Sequence, residues 1–343
     1  MKVVAYSIKS FEKEYLALAN QKKHDITLIS NPLSLKTAAY AAGKDAVIVF
    51  TNDDVSAPVI NQLADMGIKY IATRSAGTDH IDKQAAADRG IKLANVPSYS
   101  PQAIAEHTVA LALTLSRHLI QANEHSHHFD FKLDDLVGFN FYGKTVGLIG
   151  LGQIGQAVAR IFKGLGCRVI GYDLMIAEEI VNIETFSLKE VLAQSDIVSL
   201  HVPLSKATNY IINKDTLAIM KPSVMLLNTS RGALINTTDV LDSLASGKIA
   251  YLGLDVYEKE KGLFFEDHEN DVNKDAQLQK LMTYPNVIVT PHQAFLTKEA
   301  LQQIADQTIK NLDLWQLDKC VGSACVCAKN CRVHEQIAKT INN

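Results

Sequence analysis

The 343-residue sequence lacks any apolar run long enough to cross a membrane and any large excess of charge of one sign. Its longest apolar stretch, at 109–115, is far shorter than the roughly 20 residues that a transmembrane helix needs. The apolar run at 1–6 is too short for a signal peptide and is typical of a first strand. A formal net charge of −3 provides no broad cationic surface for nucleic acid. We therefore expect a cytoplasmic protein whose partners are neither membranes nor nucleic acids.

Cysteine is scarce outside the C-terminal tail. Cys167 stands alone in the sequence, whereas Cys320, Cys325, Cys327 and Cys331 lie close together. An isolated cysteine is typical of a reducing compartment. The tail cysteines could bind zinc or form disulfides, but their spacing lacks the paired C-x-x-C knuckles of common zinc sites. We expect a reduced tail without a metal ion.

Repeats and low-complexity tracts are also absent, and strand-like runs alternate with helical patterns instead. The apolar, β-branched runs form two series, at 3–6, 26–29, 46–50, 70–73 and 91–94, and at 145–149, 168–172, 197–202, 224–228, 251–255 and 287–290. Such runs, separated by helical patterns, predict parallel sheets covered on both faces. Together with a length of about two domains, the pattern predicts an α/β protein with two doubly wound sheets.

Three segments do not belong to these runs. Long helical patterns cover 102–119 and 297–317. The stretch 257–280 is charged and has no strand character, which predicts an irregular loop. Loops of that length are usually functional or mobile.

A G-x-G-x-x-G motif at 150–155 directly follows the apolar run 145–149. In this strand-turn-helix setting Gly150 permits a tight turn, Gly152 permits close approach of phosphates and Gly155 permits packing of the helix on the strand. The motif taken alone also occurs as an ordinary glycine-rich turn. Its context predicts a site where a helix N-terminus receives the pyrophosphate of a dinucleotide.

An acidic residue selects between the two nicotinamide dinucleotides. Asp173 lies 18 residues after Gly155, where a carboxylate would accept hydrogen bonds from the adenosine ribose hydroxyls. The same carboxylate would repel a 2′-phosphate, and residues 174–176 include no arginine to receive one. The sequence therefore favours NAD over NADP.

Three polar residues follow the later strand-like runs, where loops of a doubly wound fold face the ligand crevice. These residues are Arg231, Glu260 and His292. Reduction of a 2-oxo acid would need a proton donor, a group that holds this donor, and a cation for the carboxylate. Histidine, glutamate and arginine suit these tasks. The three residue types do not by themselves establish catalysis, because the loop contains several acidic residues and a single histidine or arginine is often structural.

Six ordered motifs resemble those of the D-isomer-specific 2-hydroxyacid dehydrogenases. They are Asn-Val-Pro-Ser-Tyr-Ser-Pro-Gln-Ala-Ile-Ala-Glu-His at 95–107, the glycine motif, Leu-His-Val-Pro-Leu at 200–204, Asn-Thr-Ser-Arg-Gly at 228–232, Gly-Leu-Asp-Val-Tyr-Glu-Lys-Glu at 253–260 and Pro-His at 291–292. The resemblance implies that Arg231, Glu260 and His292 are the catalytic set. It also implies a Rossmann-type NAD-binding domain at 100–296, inserted into a flavodoxin-like substrate domain at 1–99 and 297–343, and a homodimer. The tail after Trp315 departs from the family pattern.

The resemblance also implies the residues that bind cofactor and substrate. The cofactor set is Gly150, Gly152, Gln153, Ile154, Gly155, Asp173, Val202, Pro203, Thr229 and Asp255. Backbone N–H groups of Ser75, Ala76 and Gly77 would hold the substrate carboxylate, and Phe50, Tyr99 and Phe295 would leave a side-chain pocket of little more than methyl size.

That pocket favours reduction of pyruvate to D-lactate. Two alternatives stay open at this point. One is a bulkier branched or aromatic 2-oxo acid, such as 2-oxoisocaproate or phenylpyruvate, or hydroxypyruvate. The other is a non-enzymatic NAD-sensing protein, because transcriptional corepressors share this architecture.

Overall fold

The computed structural model describes residues 1–175 and 183–328, which form two compact units. The first unit comprises residues 1–100 and the described residues from 296 onward, and the second comprises 101–295. These limits differ by one residue at each junction from the limits predicted from the sequence. Ile176 of the segment after Asp173 and Cys331 of the tail lie outside the described residues.

The first unit contains a five-stranded parallel sheet. Its strands are β1 Lys2–Ala5, β2 Asp25–Leu28, β3 Ala46–Val49, β4 Tyr70–Thr73 and β5 Lys92–Ala94. The spatial order β2-β1-β3-β4-β5 is that of flavodoxin-like sheets. Its helices are α1 Lys13–Asn20, α2 Ala57–Asp65, α3 Lys83–Asp88 and, from the end of the chain, α11 Lys298–Gln316. Every residue of β3 is buried, because apolar clusters cover both faces of the sheet.

The second unit contains a seven-stranded parallel sheet. Its strands are β6 Thr145–Ile149, β7 Arg168–Tyr172, β8 Glu184–Thr185, β9 Ile197–Leu200, β10 Val224–Asn228, β11 Ile249–Leu254 and β12 Val287–Val289. Its helices are α4 Pro101–Ser116, α5 Leu119–His127, α6 Gln153–Gly164, α7 Leu188–Gln194, α8 Lys214–Ile219, α9 Thr237–Ala245 and α10 Ala276–Met282. The order β12-β11-β10-β9-β6-β7-β8 is the Rossmann order with one additional edge strand. The predicted fold class is thereby confirmed.

The order of this second sheet determines where a ligand can bind. The chain leaves β6 toward β7 on one side and later continues from β9 toward β10 on the other side. Ligands of such sheets bind beyond the carboxyl ends of the strands at this switch point. The residues that follow β6, β9, β10, β11 and β12 therefore share one edge of the sheet.

The structure corrects two details of the predicted elements. The helix predicted at 102–119 ends at Ser116, because His118 adopts a left-handed conformation with φ 50°. The prediction of an irregular loop over 257–280 is wrong at its end, because α10 begins at Ala276. Asp275 caps this helix by accepting the N–H of Leu278 at 2.8 Å. No helix within the described residues combines the length and apolarity of a membrane span.

Candidate active site

The glycine motif forms the turn between β6 and α6. Gly150 has φ 103°, and a Cβ atom there would overlap the carbonyl of His201. A Cβ atom at Gly155 would overlap the carbonyl of Gly150. Both positions require glycine, because the turn, the helix and the chain after β9 pack together without room for a side chain.

Gly152 differs from the other two glycines of the motif. A Cβ atom on Gly152 would meet nothing within 4 Å, and the residue is exposed together with Gln153. It is the N-cap of α6, and no described side chain caps this helix start. Ile154 packs partly into the core beneath. The open space above Gly152 and the helix N-terminus fit a pyrophosphate group.

Asp173 lies directly after β7, beside this turn. One carboxylate oxygen accepts the N–H of Leu151 at 2.7 Å, and the other accepts the N–H of Met175 at 3.0 Å. Each oxygen has a second lone pair, so the carboxylate can still accept hydroxyl donors. This arrangement fits the ribose of a dinucleotide and links the carboxylate to the glycine turn.

The remaining predicted cofactor residues follow β9 and β10. The carbonyl of Val202 accepts the hydroxyl of Ser230 at 2.7 Å, and Pro203 next to it is exposed. The hydroxyl of Thr229 is 2.8 Å from that of Thr108 and is buried. Desolvation of the imidazole lowers the pKa of His201 to about 3, so this ring is neutral at physiological pH.

Arg231 lies on a loop that is anchored at the end of β10. The buried Asn228 side chain donates to the carbonyl of Arg231 at 2.8 Å and accepts the N–H of Ser230 at 3.0 Å. The guanidinium donates to the carbonyl of Ser230 at 2.8 Å. The backbone that carries the arginine is thus held from within the sheet.

Gly232 brings the loops after β10 and β11 into contact. A Cβ atom at this position would overlap the carbonyl of Tyr257 and the N–H of Glu258. Only the absence of a side chain allows these two segments to touch. The glycine of the Asn-Thr-Ser-Arg-Gly motif is therefore required for packing of the two loops.

His292 and Glu260 form a hydrogen-bonded pair. Imidazole Nδ1 lies 2.9 Å from Glu260 Oε1, and both side chains are largely buried. The other oxygen of Glu260 accepts the N–H of Tyr257 at 3.0 Å. Because Nδ1 is engaged by the carboxylate, Nε2 is left to exchange a proton with a bound molecule.

A fully buried carboxylate holds the segment that carries His292. Asp255 Oδ1 accepts the hydroxyl of Thr290 at 2.6 Å and the N–H of Gln293 at 2.8 Å, and Oδ2 accepts the N–H of Ala294 at 2.8 Å. His107 Nε2 lies 3.1 Å from the same hydroxyl of Thr290. The sequence predicts Asp255 only as a neighbour of the cofactor. Its anchoring function could not be found from spacing, because the partners lie 35 to 39 residues away.

In the first unit, the loop after β4 contains Ser75, Ala76 and Gly77. Their carbonyls are all occupied: that of Ser75 accepts the N–H of Val96 at 3.0 Å, that of Ala76 accepts the amide of Asn95 at 2.8 Å, and that of Gly77 accepts the hydroxyl of Ser75 at 2.7 Å. Among the described residues, the N–H groups of the three loop residues find no acceptor. They are available for an anion.

A buried arginine that the sequence did not reveal precedes this loop. Arg74 is 1% exposed, and its guanidinium pairs with Glu12 at 2.8 Å and donates to the carbonyl of Tyr6 at 2.9 Å. The guanidinium also lies 5.4 Å from the ring centre of Phe50. An isolated arginine directly after a strand-like run carries no signal of such burial.

The three predicted pocket aromatics belong to different units. Phe50 follows β3 and Tyr99 follows β5 in the first unit, whereas Phe295 is the last residue of the second. Phe50 and Phe295 are buried, and Tyr99 is half-buried.

A Rossmann sheet, a glycine turn that fits a pyrophosphate and a histidine–glutamate pair at the same sheet edge together define a dinucleotide-dependent oxidoreductase. The chain belongs to the D-isomer specific 2-hydroxyacid dehydrogenase family, because the family model of its NAD-binding domain matches residues 109–294. The protein is an enzyme of this class and uses NAD, as the sequence predicted. This result confirms the expectation of an enzyme over that of a non-enzymatic sensor.

Individual relatives resemble nearly the whole chain. The 2-hydroxyacid dehydrogenase A of Aspergillus oryzae is 45% identical over 318 residues, which are 91% of this chain and 92% of the relative. The structure of the pyruvate reductase of Chlamydomonas reinhardtii matches with a TM-score of 0.87 and 44% identity over 94% of this chain and 98% of that one. The D-lactate dehydrogenase of Aquifex aeolicus, solved with NAD and lactic acid, matches with a TM-score of 0.86 and 29% identity over 96% and 100% of the two chains.

Proposed function

We propose that this enzyme reduces pyruvate to D-lactate, with His292 as the proton donor. The observation that carries the proposal is the 2.9 Å pair between His292 and Glu260, together with Arg231 at the end of a neighbouring strand. Strands β10, β11 and β12 are adjacent, so the segments that carry the three side chains leave the sheet at one edge. In this assignment the second unit binds NAD and the first unit binds the substrate.

Each of these residues has a chemical task. When bound, NADH supplies the hydride that reaches the carbonyl carbon of the substrate. Glu260 holds imidazole Nδ1, so that Nε2 of the protonated His292 donates its proton to the carbonyl oxygen. Arg231 polarises this oxygen and pairs with the substrate carboxylate through its planar fork. The family resemblance assigns the N–H groups at 75–77 to the substrate carboxylate as well.

The choice of pyruvate rests on the size of the side-chain pocket. The family resemblance assigns this pocket to Phe50, Tyr99 and Phe295, whose bulky rings would favour a methyl group over a larger side chain. The names of the relatives agree with this choice, since one is a pyruvate reductase and another was solved with lactic acid. An extra methylene changes the binding free energy in an apolar pocket by only about 1 to 3 kcal/mol. Larger 2-oxo acids can therefore still react, but more slowly than pyruvate.

Turnover of a substrate panel tests this assignment. NADH oxidation is measured with pyruvate, hydroxypyruvate, 2-oxoisocaproate and phenylpyruvate, and the products are resolved by chiral chromatography. We expect the highest kcat/KM for pyruvate and D-lactate as its product. A clearly higher kcat/KM for a bulkier acid, or L-lactate as the product, contradicts the proposal.

The substitution His292→Gln tests the proton donor. Loss of a general acid costs about 10²- to 10⁴-fold in kcat. NADH binding, followed by quenching of protein fluorescence or by NADH fluorescence, is expected to stay within about twofold, because the proton donor acts on the substrate. His127→Gln is the matched control, since His127 is exposed in the last turn of α5. Retention of most turnover by the His292 variant would rule out this role.

We also propose that the enzyme is a homodimer formed through its second unit. The segment from α5 to the start of β6 carries large apolar side chains that are each more than half exposed: Leu119, Ile120, Phe129, Phe131, Leu133, Val137 and Tyr142. No residue of α5 is buried. Apolar patches of this kind mark protein–protein contacts. A second copy of the chain is the occupant that the family resemblance implies.

The cellular location is likewise a proposal. Burial raises the pKa of the Cys167 thiol to about 11, so it is an unreactive core thiol that donates to the carbonyl of Phe141 at 3.2 Å. A lone core thiol needs no oxidising compartment. We therefore assign the enzyme to the cytoplasm, with a small 2-oxo acid and a second copy of itself as its partners.

A further inference from the structure

An aromatic ring from the loop after β11 lies beside the His292 imidazole. The ring centres of Phe265 and His292 are 5.7 Å apart, and the ring planes are inclined by 35°. Glu260 binds Nδ1 of the same imidazole at 2.9 Å. The histidine is therefore contacted by a carboxylate at Nδ1 and by a tilted aromatic ring.

Both residues of this ring contact have strained backbones. Phe265 has φ 69° and His292 has φ 55°, in the left-handed region that bulky residues rarely adopt. Such conformations persist only where the surrounding structure imposes them, and they concentrate at functional sites. Because both residues of the contact have positive φ angles, we infer that the surrounding structure imposes the contact between the two rings.

The turn that supplies Glu260 also positions Phe265. The carbonyl of Glu260 accepts the N–H groups of Leu263 and Phe264, both at 2.9 Å. Phe264 is buried in the core of the second unit, and Gly262 provides φ 74° within the turn. The chain is thereby fixed on both sides of the glycine, and Phe265 emerges toward His292.

We propose that Phe265 is a positioning residue that keeps His292 protonated and oriented for proton transfer. This inference rests on the proposed role of His292 as the proton donor. The negative face of an aromatic ring stabilises a neighbouring cation, so the ring favours the imidazolium over the neutral imidazole. The ring also restricts rotation of the imidazole and excludes water from the side that it contacts.

The charged and titratable groups around the imidazole in this unit contribute to the same balance. Glu260 lies on Nδ1, and the buried Asp255 binds the N–H groups of the two residues that follow His292. His107 lies 3.5 Å from Asp255, and Arg231 follows the strand next to β11. The ring of Phe265 carries no charge, so its effect on the histidine can be separated from the effects of these groups by mutation.

The expected pH dependence follows from the reaction direction. Reduction needs the protonated histidine and is lost as the pH rises, whereas oxidation of the hydroxy acid needs the neutral histidine and is lost as the pH falls. Removal of the ring destabilises the imidazolium and therefore shifts both limbs to lower pH. Reduction becomes weaker on the alkaline side, and oxidation becomes stronger on the acidic side.

The test compares Phe265→Leu and Phe265→Tyr with the unmodified enzyme over the full pH range in both directions. For the leucine variant we expect both limbs of kcat/KM to shift by about 0.5 pH unit to lower pH, which is about threefold in reduction on the alkaline side. On the acidic plateau of reduction, we expect kcat within about twofold of the unmodified value. The tyrosine variant keeps an aromatic ring and is expected to show the pH profile of the unmodified enzyme. Val272→Ala, in the same loop and 95% exposed, is the control.

A merely structural role would lower the rates at every pH without moving either limb, and this outcome overturns the inference. Phe265→Gly removes the ring and relieves the positive φ, so it serves as a second variant should the leucine variant not fold. Failure of the proposed function is visible separately: the unmodified enzyme would then not reduce 2-oxo acids, or His292→Gln would retain turnover. If the unmodified enzyme is active and the His292 variant is inactive, but the pH profiles of the Phe265 variants are not shifted, the inference alone is contradicted and the proposed function stands.

Discussion

At the scale of single residues, the proposed chemistry depends on how one carboxylate is shared. Glu260 accepts the imidazole Nδ1–H through one oxygen and the N–H of Tyr257 through the other. A glutamine could accept only one of these donors, because its amide nitrogen is itself a donor. The negative charge and both acceptor positions are therefore needed together.

The substitution Glu260→Gln is expected to weaken reduction more at high pH than at low pH. Loss of the carboxylate removes a negative charge that favours the imidazolium. We expect the alkaline limb of kcat/KM for pyruvate reduction to move to lower pH by about one unit or more. Glu266→Gln, an exposed residue of the same loop, provides the same change of charge as a control. An unchanged limb would show that Glu260 is not the partner of the proton donor.

A second residue-scale prediction concerns the choice of dinucleotide. Asp173→Asn keeps an acceptor for the N–H of Leu151 but removes the negative charge, whereas Asp173→Ser removes the charge and leaves only the shorter hydroxyl as an acceptor. Because like charges in contact cost several kcal/mol, we expect the ratio of kcat/KM for NADH over NADPH to fall by about tenfold or more in both variants. Steady-state kinetics with the two cofactors measure the ratio. Equal efficiency of the unmodified enzyme with NADH and NADPH would refute the basis of this prediction.

At the scale of structural elements, the three glycines of the β6–α6 turn have different tasks. Gly150 and Gly155 lack space for a side chain within the fold, whereas Gly152 faces open space. Gly150 and Gly155 are therefore required for packing, whereas Gly152 is assigned to the cofactor surface. A single methyl group added at Gly152 tests the second task without disturbing the first.

The substitution Gly152→Ala is expected to leave stability nearly unchanged and to weaken NADH binding. The backbone of Gly152 has φ −66°, which alanine adopts without strain, so the Tm is expected to stay within about 2 °C. The added methyl occupies the space proposed for the pyrophosphate, and we expect the KM for NADH to rise by about tenfold or more. Gly164→Ala in the same helix, where a Cβ atom also meets nothing within 4 Å, is the matched control. A KM for NADH that is unchanged in the Gly152 variant argues against a cofactor at this turn.

At the scale of the whole molecule, the apolar surface between α5 and β6 predicts self-association. Phe129 and Phe131 contact each other edge to face, with ring centres 6.1 Å apart, and both are mostly exposed in the single chain. We expect a dimer of the unmodified protein in sedimentation velocity and multi-angle light scattering. The double substitution Phe129→Asp and Phe131→Asp should produce monomers, because it places charge in the interface.

Val272→Asp tests whether any added surface charge has this effect. Val272 is more exposed than either phenylalanine but lies in a different loop, so this variant is expected to remain dimeric. A monomeric unmodified protein would contradict the dimer. A dimer that survives the double substitution would show that the interface lies elsewhere.

The fold could be predicted from the sequence because its signals are local. Strands β4, β6, β7 and β10 coincide with apolar runs that the pattern predicted. The short edge strand β8 was not predicted, because its two residues, Glu184 and Thr185, are polar and exposed. Helix α10 was missed because its buried face has only two apolar positions in a charged segment.

The sequence by itself determined which loops carry chemistry, since glycines and polar residues directly after apolar runs must lie at the carboxyl edge of a parallel sheet. Only the tertiary structure decided which of these residues meet. Spacing alone left Glu260 as one of several acidic residues in its loop, and only the family resemblance singled it out; the fold places it against His292, 32 residues away. The anchoring of His292 by Asp255 and its contact with Phe265 likewise depend on the neighbouring positions of β11 and β12. Contacts between distant residues are set by strand order and register, which local patterns do not encode.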